Sequence, residues 1–325
     1  MPTGDRVYSL NTNELDRGPT LTIAEARCQA VGLSRGKLLS KRWGRVLATL
    51  VEGISSVQKP WRRTATRLVT AQLLAQRVSV PTRHGELVFV ATDPAEFHFL
   101  RDFDRREPET LAWIDGFATP CRLWDIGANI GSYALYAGQR NGVQVAAFEP
   151  AAANFLSLCR NINLNGLCDR VRAYCLAFSD DTTLGELNLS QAAAGGVFNV
   201  FNGVETCFGD SINITARQGT MGFSIDSFRR VFAVPAPHYL KIDVDSVEEQ
   251  ILAGARATLA DPELRSVLIE MEENDTPRNE RLNAALREAG LELAERSSGG
   301  RGGTVNTIFV RSSGPVKAVL AATGD

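Results

Sequence analysis

The sequence predicts an α/β fold: an open, mostly parallel sheet of seven strands, preceded by an N-terminal helical extension and interrupted by a β-rich insertion. Three observations predict it. From Arg122 onward, short and nearly continuous apolar runs alternate with helix-period segments, as expected when helices cover both faces of a parallel sheet. A glycine-rich turn, Asp125-Ile-Gly-Ala-Asn-Ile-Gly131, comes after the first of these runs and opens a helix. An acid, Glu149, closes the next run and is followed by Pro150.

In chain order, strands are expected at Arg122–Ile126, Val143–Phe148, Val171–Phe178, Tyr239–Asp243 and Ser266–Met271. The helices between them are expected at Ser132–Gln139, Ala151–Asn165, Val247–Leu259 and Arg278–Ala289. Leu291–Arg296 and Thr304–Arg311 flank a Ser-Ser-Gly-Gly-Arg-Gly-Gly turn and should close the sheet as an antiparallel hairpin. Residues 185–235 break the series with Gly195-Gly196, Asn202-Gly203 and short alternating runs. A stretch this long between core strands is usually functional, and it reads as a β-rich insertion over the mouth of a site. Upstream, Leu39, Trp43, Val46, Leu50 and Ile54 recur at helical steps within Thr22–Val57. Pro60 ends that pattern, and a second basic helical stretch runs from Trp61 to Gln76. Val78–Pro81 and Glu86–Ala91 around His84-Gly85 read as a hairpin, and Glu107–Phe117 as a helix with Pro108 in its first turn. The chain thus divides into a basic extension (1–77), a main domain (78–311) and a tail (312–325).

The overall charge of -2 conceals an asymmetry: between Arg27 and Arg83 the only acid is Glu52, among many arginines and lysines. For this first quarter the pattern allows a packed helix with a solvated basic face, a helix lying on a membrane surface, or contact with a polyanion. No basic motif interleaved with aromatic residues accompanies it, so a nucleic-acid partner is not expected. The six cysteines form no Cys-x-x-Cys pair and are expected to be reduced, mostly buried and not metal-binding. With no signal-peptide pattern and no apolar stretch long enough to span a bilayer, the expected location is cytoplasmic, with peripheral contact at the inner face of a membrane open to the basic helices. The Asn-x-Ser/Thr triplets at Asn188 and Asn213 would then meet no glycosylating enzyme.

The glycine turn and the two acids carry the chemistry. Glycines let the backbone turn sharply and approach a ligand closely, and ligands of open α/β sheets bind beyond the carboxyl ends of the strands. Glu149 is placed to accept both hydroxyls of a ribose. A nicotinamide or flavin site would need Gly-x-Gly-x-x-Gly and backbone donors facing a pyrophosphate. Here the spacing is Asp-x-Gly-x-x-x-Gly, and Asp125 would set negative charge against that pyrophosphate. A sulfonium donor with an amino-acid ammonium group, S-adenosylmethionine, instead makes use of such a carboxylate.

At these residues the chain resembles the FkbM-type methyltransferases. The resemblance rests on Asp125–Gly131, Phe148-Glu-Pro150 with Asn154, Asn161-Ile-Asn-Leu-Asn-Gly166, Lys241-Ile-Asp-Val-Asp245 with Glu248, Leu252-Ala-Gly-Ala255, and Glu107–Ile114 upstream. It runs from about residue 80 to 311. The resemblance implies a class I (Rossmann-like) methyltransferase fold and O-methylation of a sugar or other small-molecule hydroxyl, a bacterial glycan or secondary metabolite. It implies that Asp125, Gly127, Asn129 and Gly131 line the methionine side, that Glu149 holds the ribose, and that Asp180 lies near the adenine. The family pattern Asp-Val-Glu-Gly is here Asp243-Val-Asp245-Ser246, which changes reach and room at the catalytic edge.

The candidate catalytic residues are Lys241, Asp243 and Asp245 at the end of the fourth strand, with Asp243 first as the acid beside the expected methyl group. Glu248 suits the first turn of the next helix. No metal ligand set is assigned, although Asp243, Asp245, Glu270, Glu272 and Glu273 leave open a hard divalent cation. His238 should lie at the opposite end of its strand, and His84 and His98 are read as ordinary packing or surface residues. RNA methylation and a non-catalytic cofactor-binding scaffold remain the alternative functions.

Overall fold

The computed structural model describes residues 20–22, 33–73, 76–91, 94–190, 195–197, 199–204, 212–274, 276–297 and 303–311. The chain divides into two compact units, Met1–Ser79 with Val90–Thr92 and Val80–Phe89 with Asp93–Asp325.

Among the described residues, the first unit contains the helices α1 (Leu33–Ser56) and α2 (Pro60–Leu73). They are tied by Arg67 Nε donating to Ser55 Oγ (3.2 Å) and by Thr66 Oγ1 donating to Gln58 Oε1 (2.8 Å). Pro60 breaks the pattern as expected, because its ring suits a first helical turn and no later one. Val46, Leu47, Leu50 and Ile54 on α1 are all exposed. The side chains of Lys37, Leu39, Lys41, Arg42 and Trp43 lie outside the described residues. Helix does not begin at Thr22: Thr20–Thr22 is a short strand, β1, paired in parallel with Arg77–Ser79 of β2 (Gln76–Thr82). The turn to β3 (Gly85–Ala91) is made at Gly85, whose φ of +124° suits glycine.

In the second unit, α3 (Pro94–Arg101), α4 (Phe103–Arg106) and α5 (Pro108–Asp115) precede the main sheet. Its strands are β4 (Cys121–Ile126), β5 (Val143–Phe148), β6 (Val171–Tyr174), β11 (Tyr239–Ile242), β12 (Ser266–Glu272), β13 (Leu291–Arg296) and β14 (Thr304–Arg311). Their spatial order is β13-β14-β12-β11-β4-β5-β6. The five strands from β12 to β6 run parallel, and β14 and β13 close the sheet antiparallel. The expected seven-strand sheet is therefore present. Helices α6 (Ser132–Gln139) and α7 (Ala152–Leu164) fall where their periodicity placed them.

Strand alternation sorts the two faces of the sheet. Trp124 and Ile126, Leu240 and Ile242, and Val267 and Ile269 point into one apolar cluster that also holds Phe148, Phe178 and Phe228. The opposite face carries Leu123 and Asp125, Tyr239 and Lys241, and Leu268 and Glu270. On that face Tyr239 stacks on Phe117 (3.8 Å between ring centres) and meets Trp113 edge-on. Trp113 Nε1 donates to Ser266 Oγ at 2.9 Å, so a buried indole is satisfied and the helix is fixed over the strand.

Three expectations need correction. The third strand is not continuous to Phe178: it ends at Tyr174, and β7 (Ala177–Phe178) belongs to a second sheet with β8 (Thr183–Leu189), β9 (Val200–Phe201) and β10 (Ala216–Phe223), in the order β7-β10-β8-β9. The inserted sheet thus begins before residue 185 and ends at Phe223. The next element, α8 (Ile225–Phe232), is a core helix, capped by Ser224 Oγ accepting from Ser227 N and buried through Ile225 and Phe228. The helix expected over Val247–Leu259 is two, α9 (Glu248–Ala253) and α10 (Arg256–Ala260). The break falls at Gly254, where a Cβ would overlap the Ser179 carbonyl oxygen.

The cysteines are only partly as expected. Cys121 is buried, whereas Cys168 and Cys175 are free and exposed, Cys175 at the crossover between the two sheets. Cys28 and Cys207 lie outside the described residues. Asn188 is buried, with its amide donating to Gly203 O (2.7 Å), a position closed to glycosylation. Among the described residues no helix is long and apolar enough to cross a membrane.

Candidate functional site

The site is a cavity of about 220 Å³ at the carboxyl ends of β4, β5, β11 and β12. Its first wall is the turn after β4. Gly127 and Gly131 have φ of +83° and +92°, and Asn129 adopts a left-handed φ of +49°. A Cβ on Gly127 would overlap the Asp243 carbonyl oxygen, so only glycine lets this turn lie against the end of β11. Gly131 sits equally close to Leu135 and Leu158, and Asn161 Nδ2 donates to Ile130 O (2.9 Å). The loop is therefore fixed from behind by α7.

Glu149 forms the second wall. It accepts from Asn129 N (2.8 Å) on one oxygen, and from Ala151 N (2.9 Å) and Asn154 Nδ2 (3.4 Å) on the other. Burial nevertheless raises its carboxyl to about 7, since the three hydrogen bonds only partly offset desolvation. Asn154 also donates to Gly196 O (3.1 Å) and accepts from Gly195 N (2.8 Å). Gly195 and Gly196, between β8 and β9 of the second sheet, are thereby attached to the rim.

The floor is set by strand register. Asp125 pairs with Lys241 across β4 and β11, which places both side chains on one face. The Lys241 ammonium, fully buried, is 2.5 Å from Asp243 Oδ2 and 3.8 Å from Asp125 Oδ1, and lies 5.1 Å from the centre of the Tyr133 ring. Burial opposes its charge, yet Asp243, Asp125 and Glu107 more than compensate and hold the lysine protonated. Asp125 is pushed upward by burial, and Asp125 Oδ1 has no hydrogen-bond partner among the described residues. Asn129 Oδ1 is likewise buried and unpaired among them.

Across the cavity stand Glu107 and Glu270. Glu107 accepts from Thr110 Oγ1 (2.9 Å) and from the Tyr133 hydroxyl. Glu270 accepts from Thr304 Oγ1 (2.8 Å). Burial, then repulsion by Asp243, raises both carboxyls. Asp245, which lines the same cavity, also accepts from Asn199 N of the inserted segment (3.0 Å). Ser246 holds a φ of +93°, a conformation that favours glycine. Among the described residues no group of His, Cys, Asp or Glu is arranged to hold a metal ion. Glu272 is turned away to Arg278 (2.6 Å), which also pairs with the buried Glu248.

Residues 125–293, just over half of the chain, match the FkbM methyltransferase domain. The chain belongs to this methyltransferase family. No curated protein matches it. Among solved structures it is similar to the FkbM methyltransferase of Methylobacillus flagellatus KT, at 14% identity over 67% of this chain and 55% of that one, with a TM-score of 0.41. The chain thus spans little more than half the length of that relative. Precorrin-6y C5,15-methyltransferase of Geobacter metallireducens GS-15 matches at 14% identity over 64% and 87% of the two chains, with a TM-score of 0.38. Fibrillarin of Aeropyrum pernix, in complex with natively bound S-adenosyl-L-methionine, matches at 11% over 73% and 83%, with a TM-score of 0.40.

Within this FkbM domain, Asp125, Gly127, Asn129, Glu149, Lys241, Asp243 and Asp245 all line one cavity, and Gly131 supports it from behind. Asp180 does not reach it. It is exposed and accepts from Ser179 Oγ (2.9 Å), because the chain has already crossed into the second sheet and runs past Gly254. His238 lies at the far end of β11, where Nδ1 accepts from Arg122 N (2.9 Å). His84 pairs with Asp115 (2.6 Å) at the surface, and the side chain of His98 lies outside the described residues. Sequence reasoning assigned no role to Glu107, Tyr133 or Thr304, and named Glu270 only as a metal ligand. An acid ending the apolar run Ser266–Ile269 was the available signal for Glu270.

Proposed function

We propose that this domain transfers a methyl group from S-adenosylmethionine to a hydroxyl of a sugar or another small molecule. The observation that carries this reading is the pair of acids flanking the glycine turn: Glu149, fixed at the end of β5 and lining the cavity, and Asp125, buried with Oδ1 lacking a hydrogen-bond partner among the described residues. A donor bearing a ribose and an amino-acid ammonium suits both, since each acid then gains charge-assisted hydrogen bonds worth about 1.5–3 kcal/mol each. Asp125, Asn129 and the turn at Gly127 would hold the methionine end, and Glu149 the ribose. When bound, the donor supplies a methyl group already activated by a sulfonium.

The chain's own task is then mainly alignment. Holding the reacting atoms in line can supply about 7–11 kcal/mol, more than the 10²–10⁴-fold expected of a general base. Lys241 fixes the Asp243 carboxylate at the strand edge, where its second oxygen can orient the acceptor. The cavity wall suits an uncharged, hydroxylated acceptor: Glu107, Asp243, Asp245 and Glu270 line it against Arg106 and Lys241, so carboxyls able to hydrogen-bond hydroxyls outnumber the cations that would hold a phosphodiester.

Calorimetry with S-adenosylhomocysteine tests the donor, and a labelled-methyl assay across sugar and small-molecule hydroxyls, with mass spectrometry of the product, tests the acceptor. Uptake of a nicotinamide in place of S-adenosylhomocysteine would overturn the reading.

A further inference from the structure

Two carboxylates at the ends of adjacent strands face the region where an acceptor would lie. The last registered pair of β11 and β12 is Ile242 with Ile269, so Asp243 and Glu270 are the next neighbours, side by side. Their surroundings differ. Asp243 Oδ2 is committed to the Lys241 ammonium at 2.5 Å. Without that contact the buried cation would keep Asp125 at 3.8 Å and the more distant Glu107, and a buried charge stripped of its close partner is costly. Glu270 has no such obligation. One oxygen is anchored by Thr304 Oγ1 (2.8 Å), and the other accepts no bond among the described residues.

Resting on the hydroxyl-methylation reading, we propose that Glu270 is the catalytic residue that takes the acceptor's proton, while Asp243 stays engaged with Lys241. In the step, the acceptor O–H bond breaks and its proton moves to the open oxygen of Glu270. The oxygen's electron pair forms the bond to the methyl carbon as the carbon–sulfur bond breaks, its pair going to sulfur. The products are a methyl ether, a neutral thioether and protonated Glu270, which then returns its proton to solvent. The groups facing Glu270 suit this role: burial, with Asp243 just past β11, Glu107 ahead of α5 and Glu248 on α9, raises its proton affinity, and the Thr304 hydroxyl on β14 partly offsets this; Lys241 and Arg106 line the same cavity. A base poised above the usual glutamate range is better matched to a sugar hydroxyl than an ordinary carboxylate.

The test does not depend on knowing the acceptor. Infrared difference titration of the full chain, wild type against Glu270→Gln, should show one carboxyl protonating well above the ordinary glutamate range and absent from the variant. Thr304→Val, which removes the anchoring donor, should move that titration higher still. Once an acceptor has been found, Glu270→Gln should lower turnover about 10²–10⁴-fold and abolish the rise of rate with pH. Its affinity for S-adenosylhomocysteine and its acceptor KM should stay within about twofold, and Glu270→Asp should restore part of the turnover. A Glu270 that titrates at the ordinary value, or a Glu270→Gln variant with an unchanged pH profile, overturns the assignment. Loss of S-adenosylhomocysteine binding by the wild-type protein would instead sink the methyl-transfer reading itself.

Discussion

Donor affinity should depend on pH through Glu149, and replacing that residue with glutamine should remove the dependence. Burial lifts its carboxyl from an ordinary 4.5 to about 7, a difference of roughly 3 kcal/mol at about 1.4 kcal/mol per pH unit. Because the folded protein favours the protonated form, this contribution to stability is full below about pH 4.5 and is lost as pH rises through about 7. A ribose donating both hydroxyls favours the ionised form. Binding near pH 6 must therefore expel a proton, whereas near pH 8 the carboxylate is already bare. The affinity for S-adenosylhomocysteine should accordingly rise roughly tenfold between about pH 6 and pH 8, then level off. Calorimetry in buffers of different ionisation enthalpy reads both quantities: about one proton released at the lower pH and almost none at the higher. Glu149→Gln should bind more weakly and show neither effect. An affinity flat across this range in the wild type, with no proton released, would refute the assignment of Glu149 to the ribose.

Gly127→Ala should lose donor affinity and several degrees of melting temperature, because its Cβ would overlap the Asp243 carbonyl oxygen at a φ of +83°; unchanged calorimetry and melting would refute the close approach. Ser246→Gly should raise the melting temperature by about 2–4 °C, since a side chain held at a φ of +93° costs on the order of 1 kcal/mol that glycine avoids; a lower melting temperature in a scanning assay would count against it. Asp243→Asn should cut turnover on the identified acceptor far more than S-adenosylhomocysteine affinity, as it weakens the grip on Lys241; undiminished turnover would remove Asp243 from the mechanism.

The sheet was legible because burial on both faces leaves short apolar runs, and the cofactor turn because few backbones require glycine at Gly127 and Gly131 and an acid at Asp125. What stayed hidden depends on register. Lys241 is a charge inside an apolar strand, visible as an anomaly, yet its partners Asp125 and Asp243 become evident only when β4 and β11 are aligned. Glu107 and Glu270 are far apart in the chain and share a cavity only through the layer of α5 over the sheet. Asp180 was misplaced for a related reason. The run Val171–Phe178 looks like one strand, and nothing in its composition reveals that it changes sheets at Cys175-Leu176. The close packing at Gly254 was equally silent, because the carbonyl it faces comes from Ser179, in a distant segment.

The second sheet leaves and rejoins the parent fold through a clamp: Ala177–Phe178 lies beside Gly222–Phe223 in parallel register, and Ser179 N donates to Phe223 O. Gln218 on β10 adds a second tie, donating to Pro150 O (2.7 Å) and accepting from Ala152 N (2.9 Å) beside Glu149. Within the stretch from Ser190 to Thr215, Phe201 of β9 packs with Ala151, Ala177 and Leu187, so an exchange would have to keep that strand. Among the described residues, the stretch's purchase on the donor side is Asn154 with Gly195 and Gly196, and Asp245 with Asn199. Grafting a foreign segment that preserves those few contacts offers a route to redirecting such an enzyme toward new acceptors while its grip on the methyl donor stays intact.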